Sequence, residues 1–143
     1  MSGFLLDTNV VSELMRPRPD ARVFAWFETH ARTPFFASAI TQAEIFLGIA
    51  RLPVGKRRDA LAIAADKMFQ QDFANRCLPF DHAAAREYAL LVASRIKSGK
   101  PISTEDAQIA AIAIRHRLPL VTRNSKDFAR IEGLEVIDPW VSM

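Results

Sequence analysis

Three carboxylates stand in this chain where an idle charge is out of place. Asp7 ends the apolar run Phe4-Leu5-Leu6 and opens the polar trio Asp7-Thr8-Asn9. Glu44 lies among Ile40, Ala43, Ile45, Phe46, Leu47 and Ile49, and Asp106 precedes Ala107-Gln108-Ile109-Ala110-Ala111. In an open parallel sheet the carboxyl ends of the strands face the ligand crevice, so an acid just past the first strand is aimed at a site. A helix apolar nearly all round is expected to be buried, and a glutamate is seldom buried without a partner. A second polar stretch, Thr122-Arg123-Asn124-Ser125-Lys126-Asp127, follows another strand-like run and offers Asn124 and Asp127.

Each of these residues also has a purely structural reading. Asp7 could cap the helix that follows it. Glu44 could snorkel or pair with an arginine. Ser103 to Asp106 has the spacing of a capping box, and Glu105 and Asp106 suit the positive end of a helix dipole. Asn124 could close an Asx turn and Asp127 could cap a turn. Taken jointly the acids ask for more. At about 4–5 Å each pair repels by about 3–4 kcal/mol at an effective dielectric of about 20. Several such terms are too much for a domain stable by about 5–15 kcal/mol. A divalent cation removes the conflict. Carboxylate oxygens without nearby His or Cys suit Mg2+ or Mn2+ rather than zinc. Such an ion can activate water and stabilise charge on a phosphoryl group.

The elements that must bring these residues together alternate along the chain. Residues 3–6 read as a buried strand and Thr8 to Met15 as a short helix stopped by Arg16-Pro17-Arg18-Pro19. Asp20 can cap a helix to about His30, with Val23, Trp26 and Phe27 on one face. Phe35-Phe36-Ala37 is a second strand, Thr41 to Leu52 an apolar helix, and a charged helix runs from after Gly55 to about Phe73. Arg76-Cys77-Leu78 is a weak third strand. Asp81 can cap the helix from His82 to Lys97, and Thr104 to His116 is strongly apolar. Leu118 to Thr122 and Leu134 to Ile137 are the last strands. This order predicts an α/β fold with a mainly parallel sheet covered on both faces. Strands one and four are expected to be neighbours, which would bring Asp7 and the Asn124 loop together.

The 143 residues fit a single domain, 1–143, and half of them are hydrophobic. No apolar stretch approaches the roughly 20 residues of a membrane span, and no signal peptide is evident, so a cytoplasmic location is expected. The single cysteine, Cys77, is expected to be a small buried hydrophobe. The histidines, His30, His82 and His116, are scattered and read as surface or helix-end residues, and Trp26 and Trp140 as packing groups. Net charge is only +3, but Arg51, Lys56, Arg57 and Arg58 cluster, as do Arg115, Arg117, Arg123, Lys126 and Arg130. Solvated surface is one reading; a polyanion held along its backbone is the other.

These residues, in this order, resemble the PIN domain, and within it the VapC/FitB-like toxins of bacterial toxin–antitoxin pairs. The likeness rests on Leu5-Leu6-Asp7-Thr8-Asn9-Val10-Val11-Ser12-Glu13, Ser38-Ala39-Ile40-Thr41-Gln42-Ala43-Glu44, Asp106 before its Ala/Ile-rich helix, Leu120-Val121-Thr122-Arg123-Asn124-Ser125-Lys126-Asp127-Phe128, and Val136-Ile137-Asp138-Pro139-Trp140. The resemblance implies a three-layer α/β/α sandwich and a Mg2+- or Mn2+-dependent ribonuclease. It also implies a homodimer and a cognate VapB/FitA-like antitoxin through which DNA would be bound. It places metal-holding acids at Asp7, Glu44 and Asp106. The fourth acid position falls on Asn124, with Asp127 a few residues on, and Thr8, Asn9 and Ser38 would orient the acids. Two other readings stand beside it: a catalytically inactive PIN-like protein-binding module, and a haloacid-dehalogenase-like phosphatase. The latter wants a second Asp where this chain has Asn9.

Overall fold

The computed structural model describes residues 2–141. Five short strands, β1 (Phe4–Leu6), β2 (Phe35–Ser38), β3 (Cys77–Leu78), β4 (Leu120–Val121) and β5 (Val136–Ile137), form one sheet in the order β3-β2-β1-β4-β5. Every pairing is parallel, with Leu5 opposite Phe36 on one side and Leu120 on the other. The chain grows outward from β1 in one direction and then, from β4, in the other. The carboxyl ends of β1 and β4 therefore flank a topological switch point, where such sheets bind ligands.

Six α-helices cover the sheet: α1 (Thr8–Leu14), α2 (Ala21–Thr29), α3 (Ala39–Ala50), α4 (Lys56–Lys67), α5 (His82–Lys97) and α6 (Thr104–His116). Alternation along the strands divides the core in two. Leu5, Phe36, Leu78 and Leu120 pack with Ala84 and Leu91 of α5 and with Ala107, Ile109, Ala110, Ile112 and Ala113 of α6. Leu6, Ala37 and Val121 pack on the opposite face with Val10, Val11, Val23, Ile45, Ile49, Ala65 and Trp140. The strands read as unbroken apolar runs because both faces are buried. The result is the expected three-layer α/β/α sandwich.

Local chemistry sets the element ends. Ser38 accepts the Thr41 amide at 3.0 Å, so α3 begins at Ala39, two residues before the pattern suggested. Asp20 and Asp81 cap α2 and α5 as expected. The run after Gly55 is helical, but its last turn, Met68–Asp72, winds as a π-helix that seats Met68, Phe69 and Phe73 in the core. The strands at β4 and β5 are shorter than their apolar runs. The helix α3 is also less enclosed than its composition implied. Only Thr41, Ile45 and Ile49 are buried, and Leu47 is 59% exposed.

Candidate active site

Asp7 follows β1 directly and is 3% exposed. Its backbone amide continues the sheet by donating to Val121 at 2.9 Å. Its carboxylate accepts three hydrogen bonds and keeps an Oδ1 lone pair free. Oδ1 accepts the Thr8 amide at 2.8 Å, and Oδ2 accepts the Thr122 hydroxyl at 2.7 Å and the Asn9 amide group at 3.3 Å. Thr122, the residue after β4, is wholly buried and saturated. Having given its one proton to Asp7, it accepts from Asn9 at 3.3 Å and from the Asn124 amide at 3.1 Å. Asn9 in turn accepts the Arg123 amide at 3.2 Å. The ends of β1 and β4 are thus tied together through polar side chains, and the Asn124 loop is tied to both.

A second chain of hydroxyls reaches Glu44. Thr8 donates to Glu44 Oε1 at 2.7 Å, so in its 2.9 Å contact with buried Thr41 the Thr41 hydroxyl must be the donor. Ser38 fixes the start of that helix. Glu44 is half-buried and held by a hydroxyl, and among the described residues no arginine bridges it. Asp106 is half-buried in the first turn of α6, where Ser103 accepts its amide at 3.1 Å. Ser103 thus caps α6, as the capping reading expected.

Burial dominates the electrostatics of the two aspartates, and neighbouring carboxylates add to it. Burial pushes the Asp7 carboxyl up to about 6; hydrogen bonds from Thr122 and Thr8 oppose this, and the charges of Asp106 and Glu44 add to it. Asp106 is raised as well, first by burial, with Asp127 and Glu105 adding and Ser103 opposing. Desolvation is thus the main cost of ionising either aspartate, and it exceeds what the local hydrogen bonds return. Even so, among the described residues no three His, Cys, Asp or Glu side chains converge tightly enough to form a ready-made metal cage. Mg2+ commonly takes only one or two carboxylates and keeps several waters. Asp7 and Asp106 offer oxygen donors alone, which suits such an ion.

The remaining site expectations fall at the rim. Asn124 and Asp127 are exposed on the loop after β4. The turn there is closed by the Asn124 carbonyl, which accepts the Asp127 amide at 3.0 Å, rather than by the Asn124 side chain. The 3-10 turn Ser125–Phe128 follows. The charge of Asp127 is felt at Asp106. The second basic cluster is split. Lys126 and Arg130 line a cleft with Asp106, Arg115 and Arg117 line another with His82 and Arg86, and Arg123 lies over the Trp140 ring at 4.9 Å. Trp140 is buried and His30 closes α2 against Phe4 and Trp26. Cys77 is half-buried, its thiol raised by burial and pointed at Gln42.

Thr41, Thr122 and Arg95 escape a reading of the sequence alone. Thr122 is the polar residue that ends an otherwise apolar strand. Arg95 falls on the buried stripe of α5 that runs through Ala84 and Leu91. Both are polar residues at positions whose periodicity calls for apolar ones, which is the signal that could have found them.

Residues 4–134 match the PIN domain family. This chain belongs to that family. Among similar PIN-type proteins, the plasmid stability protein StbB of Pseudomonas syringae pv. tomato is 43% identical over 95% of this chain and 97% of its own length. The toxin FitB of Neisseria gonorrhoeae is 40% identical, again over 95% and 97%. A solved FitAB complex with a DNA fragment contains a chain that superposes with a TM-score of 0.89 at 38% identity, covering 98% of this PIN domain chain and 97% of that chain. The likeness to VapC/FitB-like proteins therefore extends through the whole described fold.

Proposed function

We propose that this PIN domain is the toxin of a toxin–antitoxin pair and acts as a divalent-metal-dependent endoribonuclease. One observation carries the reading: a buried Asp7 at the switch point of a parallel sheet, its carboxyl raised to about 6 by burial, with the charges of Asp106 and Glu44 adding to it. The name of a relative in Sinorhizobium fredii, the VapC ribonuclease Y4jK, 41% identical over 95% of this chain, supports the activity.

In this mechanism Asp7 and Asp106 would hold Mg2+ or Mn2+, directly or through its waters. The bound ion supplies charge stabilisation at the phosphoryl group and a more acidic water. Glu44, oriented by Thr8, completes the acidic surface and accepts a proton from, or aligns, the attacking water. Thr122 and Asn9 keep the Asp7 carboxylate in one orientation and ionised. Asn124 and Asp127 contribute at the rim. Lysines and arginines around the acids bind RNA phosphates and position the chain without reading its sequence.

An antitoxin related to VapB or FitA would restrain the enzyme. A groove beside Glu44, lined by Ile45, Ile49, Leu52 and Leu61 with Arg16 and Arg57 at its sides, suits a partner segment that covers the acids. A homodimer, a cytoplasmic site of action and DNA binding through the antitoxin alone complete the reading. The test is cleavage of RNA with Mg2+ or Mn2+, compared with EDTA and with Asp7→Asn. Undiminished cleavage by Asp7→Asn removes the mechanism. Growth arrest that co-expression of the neighbouring small open reading frame does not relieve removes the partner. The lack of a three-acid cage among the described residues favours a second reading, an inactive protein-binding module. Calorimetry that finds no divalent-ion binding selects it.

A further inference from the structure

The cleft of about 530 Å³ beside Asp106 is built from three separate segments. Arg95 comes from the last turn of α5, Lys100 and Ser103 from the link into α6, and Lys126, Asp127 and Arg130 from the loop after β4. Four cations face two carboxylates there, Asp106 and Asp127, so the cleft is net positive at the edge of a strongly acidic centre.

Arg95 sets it apart from an ordinary basic surface. It is 9% exposed, and among the described residues it has no carboxylate within ion-pair distance. Its Nη1 donates to the Ala129 carbonyl at 3.1 Å and its Nη2 to the Asp127 carbonyl at 2.7 Å, while Nε has no partner. A buried cation is costly unless an opposite charge compensates it. The two carbonyls supply dipoles and no charge. The field of Arg95 therefore reaches into the cleft and adds to that of its three other cations. The same two hydrogen bonds brace the turn that carries Lys126, Asp127 and Arg130.

We propose that this cleft is a subsite for a backbone phosphate of RNA adjoining the one held at Asp7 and Asp106. Lys100, Lys126 and Arg130 contact the phosphate, and Arg95 is the positioning residue that fixes the turn and leaves its charge uncompensated. The subsite rests on the ribonuclease reading for the identity of its ligand. An acidic peptide could meet the same cations. RNA is favoured because the cations line the same cleft as Asp106, matching a chain whose phosphates need direct neutralisation at one position and a metal at the next.

The experiment measures binding of a fluorescent single-stranded RNA in EDTA, where no cutting occurs, across a range of salt. The triple variant Lys100→Gln/Lys126→Gln/Arg130→Gln should bind about tenfold more weakly. Its log–log salt slope should become shallower by about 0.7 for each phosphate that is no longer neutralised. A charge-matched control, Arg86→Gln/Arg115→Gln/Arg117→Gln, removes the cations of the separate cleft near His82 and should stay within about twofold. Arg95→Met should reproduce much of the loss alone but add little to the triple variant, because it acts through the same residues. Arg95→Lys should recover part of the binding. Equal weakening by both triples, RNA binding unchanged by the cleft triple, or full additivity of Arg95→Met would overturn the proposal. So would loss of antitoxin binding with RNA binding intact. If the wild-type protein cuts RNA yet the cleft triple binds it normally, the subsite fails and the enzyme stands. If the triple loses binding but wild type never cuts, the enzyme reading fails and the subsite stands.

Discussion

At the scale of single residues, Asp7 is a group whose useful state the fold makes costly. Its folded-state pKa, about 6, lies above the unfolded value of 3.8. Between those values the native protein binds more protons than the unfolded chain, so this group's stability contribution is full below pH ~4 and is lost as pH rises through 6. The shift corresponds to roughly 3 kcal/mol at 1.36 kcal/mol per unit. We expect metal-free protein to lose on that order of stability from pH 4 to 7.5 through Asp7, and Asp7→Asn to flatten that part of the curve in urea unfolding. A wild-type profile that matches Asp7→Asn at every pH would contradict it. The acids themselves were legible in the sequence because a charge among apolar neighbours is conspicuous. The hydroxyls that hold them were not. Thr41 is ordinary at the start of a helix, the polar Thr122 ends an apolar run without showing why, and their roles depend on partners 33 and 115 residues away.

At the scale of elements, the position of Asp7 depends on how β1 enters the sheet. Gly3 stands at φ +141°, and a Cβ there would lie 2.6 Å from the Pro34 carbonyl oxygen. That carbonyl accepts the Phe4 amide at 3.1 Å and starts the pairing of β1 with β2. Gly3→Ala should therefore cost about 1–3 kcal/mol in backbone strain, more if the pairing shifts, seen as a lower urea midpoint with an unchanged slope. A midpoint equal to wild type would mean that the strand accommodates the methyl group. Alternating helices and apolar strands made the layer order readable, and proline, glycine and capping residues marked most boundaries. The π-helical turn at Met68–Asp72 was hidden, since it follows from fitting Met68, Phe69 and Phe73 into a core assembled by other segments. The openness of α3 was hidden for the opposite reason: composition reports apolar surface, not what covers it.

For the whole molecule, charge matters more in its placement than in its sum. A net charge of +3 is small, but Asp7 lies buried at the switch point and four cations line the cleft beside Asp106. A divalent ion that binds only the folded state should raise stability with its concentration, by about 2.7 kcal/mol at a hundredfold excess over Kd. Thermal melts in Mn2+ against EDTA should show that gain, and Asp7→Asn should abolish it; a gain that survives in Asp7→Asn would place the ion elsewhere. The sheet has a further consequence for assembly. Its two borders, β3 and β5, are two residues each, too short to recruit a foreign strand by backbone pairing. The large apolar side chains left in water are mostly on helices, Phe24, Leu47, Ile63, Leu90 and Ile96, with Val54 and Val141 on loops. Any companion of this molecule, identical or different, must therefore grip it by side chains across helical surfaces, and its fidelity will depend on shape rather than on a shared ladder of amides.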